Sequence, residues 1–261
     1  QAEIARESEQ AAKESLAIAE KEQAVAHATA HFLQNVFSSP NDEQGTRVWT
    51  VEAMLDQAAD RLEKNTDMTE EITRNLYLVL SFTYRSLEQF EQMEHLARKS
   101  AELSEKIYGK DHTISLTTWE TVGQAHYMGG ESEKAIEILE EAVARARKHL
   151  SPEEMKYWTI QFSLASAYAK AGRMEEAISL TRTVIVGLEP FDAPVEKTEI
   201  LSGLGSYLGR DKQWEEAIAC LESIAEERRT GALAISRRSW VAERTLMEAY
   251  LLTGQSEKAV E

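Results

Sequence analysis

One pattern recurs along this chain at an almost constant interval, and it constrains the architecture more than any single residue does. A bulky residue is followed four places on by Gly or a polar residue, and nine places on by Ala or another apolar residue. It reads Tyr168, Gly172, Ala177; His126, Gly130, Ala135; Tyr250, Gly254, Ala259; Leu208, Lys212, Ala217; and, in degenerate form, Tyr84, Glu88, Met93. The anchors at 84, 126, 168, 208 and 250 are spaced by 42, 42, 40 and 42 residues. A repeat of this length is one supersecondary unit that cannot bury its apolar face alone, so the chain must fold by stacking copies of it.

Each unit reads as two helices. Ahead of each anchor, apolar or small residues recur at helical spacing, as in Trp119, Val122, Gly123, His126 and in Leu201, Leu204, Gly205, Leu208. The small residue lets the neighbouring helix approach, and the residue four past the anchor ends the first helix, where a left-handed cap is cheapest for Gly. Ala135, Leu139 and Ala142 set the contact face of the second helix. Between units, Ser151-Pro152-Glu153-Glu154 reads as N-cap, first helical Pro and capping-box acid. Tyr108-Gly109-Lys110-Asp111-His112 and Pro190-Phe191-Asp192-Ala193-Pro194 are further breaks.

These features resemble the tetratricopeptide repeat. Its small/large signature is carried by Trp119, Gly123, Ala135 and Ala142, and the 42-residue step with the Gly109-Lys110-Asp111-His112 linker resembles the longer-helix subclass of kinesin light chains. The resemblance covers residues 69–261, about four and a half repeats truncated at the C-terminus. It implies an all-α, right-handed α–α superhelix whose first helices line a groove for protein or peptide ligands.

The first 68 residues differ. Residues 1–37 lack Gly and Pro and are rich in Ala, Glu and Lys, which predicts one helix about 50 Å long. Ile4, Ala11, Ile18, Val25 and Phe32 repeat every seven residues, a pattern open to self-association as a coiled coil or to one-sided packing of a solvated helix. Residues 38–68 hold a polar loop and a helix from Thr50 to Lys64, with Val51, Leu55 and Ala58 on its contact face; with His27 to Phe37 they make an imperfect leading repeat. The stretch from Ala28 to Glu63 also resembles the segment after the membrane span in planctomycete-type bacterial Ser/Thr protein kinases. That resemblance implies a kinase domain and membrane helix upstream, with this region extracytoplasmic. The chain opens at Gln1 and stops at Glu261 inside a helical pattern, so it reads as part of a longer protein with at least one further helix.

Composition narrows the partners. With 29 Lys and Arg against 45 Asp and Glu the net charge is −16, which argues against nucleic acid and anionic membrane surfaces. The single Cys220 excludes an intramolecular disulfide framework and an all-thiolate zinc site. No phosphate-cradling Gly loop or kinase catalytic signature occurs, so neither binding nor hydrolysis of ATP is expected, and no cofactor is implied. His27 and His31 share a helix face at zinc-ligand spacing but lack the Glu of a zincin, and read as surface or packed rings. His126 replaces the repeat's aromatic and reads as a core ring, and Cys220, among acids, as a structural thiol. Glu140-Glu141 and Glu215-Glu216 read as a solvated face.

What remains is the groove implied by the resemblance. The first-helix positions that line it include Asn75, Phe82, Arg85, Glu120, Tyr127 and Phe162. Phe82, Tyr127 and Phe162 offer an aromatic floor, and Arg85, Arg210 and Arg244 offer grips for a carboxylate. The same rings equally serve ordinary packing between repeats. Chaperone-binding members hold a peptide carboxylate with Lys and Asn, and only Asn75 matches in type; kinesin-like members carry Asn pairs where Glu120-Thr121 and Phe162-Ser163 stand here. The expected function is a non-catalytic protein-interaction scaffold, either the sensory part of a membrane-anchored kinase or a free cytoplasmic adaptor.

Overall fold

The computed structural model describes residues 6, 9, 10, 13, 16, 19, 20, 23–32, 34, 50–64, 68–229 and 237–259. Residues 23–32 form a helical stretch, α1. There follow α2 (Val51–Lys64), α3 (Glu70–Ser86), α4 (Phe90–Tyr108), α5 (Thr113–Gly129), α6 (Ser132–His149), α7 (Met155–Lys170), α8 (Met174–Leu188), α9 (Pro194–Arg210), α10 (Trp214–Arg229) and α11 (Arg237–Leu252). No strand occurs among the described residues. The fold is an all-α repeat superhelix of stacked helix pairs, as the period implies. No helix among the described residues is long and apolar enough to cross a membrane. The chain divides into two compact units, Gln1–Lys110 and Asp111–Glu261, parted inside the Gly109-Lys110-Asp111-His112 linker.

In the first unit α3 and α4 form a hairpin. Thr69 caps α3 by accepting the Ile72 N–H at 3.4 Å. Leu76, Leu80 and Tyr84 of α3 are buried, as are Met93, Leu96, Ala97 and Ala101 of α4. Helix α2 buries Leu55, Ala58 and Leu62. Val51, expected on that face, is instead 51 % exposed. It is the first residue of α2, in the turn capped by Thr50, whose Oγ1 accepts the Ala53 N–H at 3.2 Å. Of the N-terminal heptad positions, Val25 is half-buried and Phe32 buried. Ile4, Ala11 and Ile18, and the loop 38–48, lie outside the described residues, so the long helix and the kinase-like leader are described only in pieces.

In the second unit every helix packs on the next, and the first helices of successive repeats also touch one another: α5 on α7, α7 on α9, α9 on α11. Close approach comes from missing side chains. A Cβ on Gly123 would stand 2.6 Å from Leu139 Cγ, and one on Gly205 2.5 Å from Leu221 Cγ, so each Gly is the socket for a buried Leu. Burying one such Leu contributes about 2 kcal/mol. The third repeat carries Ala165 and Thr181 at the matching positions. There Thr181 Oγ1 turns back to donate to the Ala177 carbonyl at 2.7 Å. Helix α7 begins later than Ser151-Pro152 suggested. The capping pair does form, with Glu154 Oε1 accepting the Ser151 N–H at 3.0 Å. It closes a turn ahead of the helix, which starts at Met155.

The anchors and the turns after them obey two further rules. Where the anchor is Tyr, its hydroxyl donates to an acid 28 residues earlier on the preceding second helix: Tyr84 to Asp56 at 2.6 Å, Tyr168 to Glu140 at 2.7 Å, Tyr250 to Glu222 at 2.7 Å. Where the anchor is His126 or Leu208, the residue so placed is Arg98 or Leu180, and no acid is present. His126, buried as expected, turns to Glu131 Oε2 at 2.6 Å instead. The residue four past each anchor is left-handed in all five copies, with φ 87, 86 and 79 at Gly130, Gly172 and Gly254, and φ 58 and 63 at Glu88 and Lys212.

Candidate functional site

The first helices of the second unit present a continuous face. On α5 the partly exposed stripe runs through Thr117, Gln124 and Tyr127, on α7 through Thr159, Phe162, Ser163 and Ser166, and on α9 through Glu199, Gly203, Ser206 and the exposed Arg210. These residues recur at helical spacing because the opposite face of each helix is committed to its own hairpin partner.

Four of the eight groove residues expected from the sequence lie here among well-defined contacts or on this stripe. Tyr127 is half-buried, with Lys170 Nζ 4.9 Å from its ring centroid. Phe162 is a wedge between α7 and α9. Its Cζ would lie 2.8 Å from a Cβ on Gly203, and it packs beside Leu204 and Ile200. Arg210 closes the end of α9 and its charge acts on Tyr207. Glu120 lies on the α5 stripe yet is only 6 % exposed. Its Oε1 accepts from Ser163 Oγ at 2.6 Å and from Gln124 Nε2 at 3.1 Å. Gln124 Nε2 also reaches Ser163 Oγ at 3.1 Å. Burial holds the Glu120 carboxyl above its ordinary range, against the pull of the Ser163 bond and the Lys156 charge.

Arg244, on α11, is exposed. The remaining three belong to the first unit. Phe82 is 37 % exposed, and the Arg85 guanidinium stands 5.2 Å from its ring centroid. Asn75 is engaged by the chain itself, its Nδ2 donating to Thr29 Oγ1 of α1 at 2.9 Å. The strip of three rings therefore divides, with Phe82 in one unit and Tyr127 and Phe162 in the other.

Two participants were not singled out from the sequence. Tyr207 is buried and donates to Ser166 Oγ at 2.9 Å, and burial pushes its hydroxyl up to about 12. Lys170 sits over Tyr127. Their signal was register: Tyr207 immediately precedes the anchor Leu208, and Lys170 is two past the anchor Tyr168. Elsewhere, burial and the Glu216 carboxylate push the Cys220 thiol up, away from a reactive thiolate. His27 and His31 are exposed. No group of three metal-ligating side chains occurs among the described residues.

Two family models match parts of the chain, a tetratricopeptide repeat over residues 72–148 and a PPR repeat over residues 163–182. The fold is a tetratricopeptide-type solenoid. Among solved structures, a putative kinesin light chain of nearly identical repeats from Podosopora anserina is 22% identical, with TM-score 0.59 over 74% of this chain and 92% of its own. A Rap protein complexed with Competence and Sporulation Factor is 12% identical, with TM-score 0.67 over 91% of this chain and 63% of its own. PlcR of Bacillus thuringiensis, in complex with the peptide PapR7 and DNA, is 15% identical, with TM-score 0.56 over 81% of this chain and 78% of its own. No curated protein matches the chain.

Proposed function

We propose that this chain is a non-catalytic protein-interaction scaffold that holds a peptide or partner segment on its first-helix face. The observation that carries this reading is the α5–α7–α9 face, where Tyr127 and Phe162 lie among small and hydroxyl side chains with Lys170 and Arg210 at one end. Aromatic anchors with charged margins are the usual make-up of a binding surface. The tetratricopeptide match, the complex of Rap with Competence and Sporulation Factor and that of PlcR with the peptide PapR7 support it. PlcR is also bound to DNA, but a net charge of −16 gives this chain no general attraction for phosphates. Arg210 and Arg244 are the grips for a carboxylate of the segment bound on this unit, and Arg85 is a separate candidate within the first unit. The test is a peptide-array screen with the full chain, followed by titration calorimetry. Saturable binding that Tyr127→Ala and Arg210→Ala weaken tenfold or more supports the reading, and uniform absence of binding refutes it.

The leader supports a narrower proposal: the sensory or scaffolding region of a membrane-anchored bacterial Ser/Thr protein kinase, on the side of the membrane away from the kinase. The gene upstream of Gln1 tests it. An apolar run of about twenty codons preceded by kinase motifs supports the proposal. An upstream sequence without them leaves the free cytoplasmic adaptor. Self-association through the N-terminal helix is the further partner this proposal carries, and sedimentation with and without residues 1–37 tests it.

A further inference from the structure

Glu120 is the one Asp, Glu, Lys or Arg that is buried among the described residues. Its two donors, Ser163 Oγ at 2.6 Å and Gln124 Nε2 at 3.1 Å, both converge on Oε1. Among the described residues Oε2 accepts no hydrogen bond and forms no ion pair, and it is not one of the solvent-sealed atoms left without a partner. That oxygen therefore keeps contact with solvent, on the stripe that holds Thr117, Gln124 and Tyr127. Lys156, exposed in the first turn of α7, is the cation acting on it, and it does so from beyond ion-pair distance.

A carboxylate taken this far out of water costs several kcal/mol unless a cation or a full set of donors compensates it. Two neutral donors on one oxygen offset only part of that cost. The raised carboxyl is the sign of a charge the fold has left uncompensated. One oxygen is thus fixed by the protein and the other left without a donor. We propose that Glu120 Oε2 is the acceptor for a cationic side chain of the bound segment, Lys or Arg, entering the first-helix face between α5 and α7. This rests on the interaction reading above and names the chemistry that the face selects. The net charge of −16 favours the same choice, since it concentrates cationic segments near the chain before contact. Arg is the better fit of the two side chains, because its planar fork can meet Oε2 while its apolar stem lies along Tyr127.

The probe is a set of decapeptides of Ala and Ser in which a single Arg, norleucine or Glu is walked through every position, read by fluorescence polarisation against the full chain. The best Arg peptide is expected to bind at least tenfold tighter than its norleucine twin. Glu120→Gln, which keeps the shape and can still receive the Ser163 hydroxyl, is expected to erase that preference while its thermal melt stays at or above that of the parent. Peptides that bind equally well with Arg or norleucine, or an Arg preference that survives in Glu120→Gln, would overturn the assignment and leave the scaffold reading standing. Binding of no peptide at all would overturn both.

Discussion

The α7–α8 and α9–α10 hairpins have the same shape and almost opposite chemistry. In the first, Tyr168 donates to Glu140, the turn residue is Gly172, and the small/large pair of the interface is Ala165 and Thr181. In the second the anchor is Leu208 with Leu180 where the acid would be, the turn residue is Lys212, and the pair is Gly205 and Leu221. Two of these three differences are paired, the anchor with the residue facing it and the small residue with its large partner, and the turn residue stands alone. The shape therefore belongs to pairs of positions, and a repeat tolerates a change in one member only where the other has changed too.

The sharpest way to break that relation is at the wedge the two hairpins share. Phe162 projects from α7 against Gly203 of α9, and Phe162→Ala is expected to cost about 3 kcal/mol in a urea melt. The exposed Phe82→Ala should cost about 1 kcal/mol or less. Equal losses would show that exposure does not separate these two rings. Next in size is Gly205→Ala. Its new Cβ meets Leu221, which is buried and cannot swing aside, so a loss of about 2 kcal/mol is expected. Adding Leu221→Thr copies the third repeat's pair and should restore more than half of the loss. An additive double variant would mean the pairing is incidental.

The period, the helix pairs and the position of the turns were legible in the sequence because they follow from short-range spacing. Gly172 and Lys212 were read at one register, but that Lys212 would take φ 63 is dictated by the hairpin closing around it, not by lysine. The site was legible only as a set of first-helix positions. Glu120 and Ser163 were both visible, yet nothing local ties residues 43 apart, and the burial that makes Glu120 unusual arises only when α7 packs on α5. Asn75 shows the reverse case. Its type suited a ligand, and α1 supplies Thr29 to it.

Two smaller effects sharpen the comparison. Tyr168→Phe removes a hydroxyl whose ionisation is pushed up to about 12 by burial and by the Glu140 bond, and should cost about 1 kcal/mol. Glu140→Gln in that background should add little, since its partner is gone, and a full second loss would break the pairing. Smallest is Lys212→Gly, expected to gain about 0.5 kcal/mol, because relief of a left-handed lysine slightly exceeds the added freedom of the unfolded chain. Gly172→Lys should lose a similar amount, and a loss at both positions would show that Lys212 makes a contact that outweighs its backbone cost.

The half-buried Cys220 lies on α10, in the hairpin with the leucine anchor and the left-handed lysine. With no other thiol in the chain, every molecule carries one chemical clock, and it sits in that hairpin. A maleimide reagent added to the native protein reaches this partly exposed thiol at a rate set by its burial and by the Glu216 charge, both of which hold it off the thiolate. The labelling half-life, followed by mass, therefore reads the local packing of α10, with no engineered cysteine and no dye on the first-helix face.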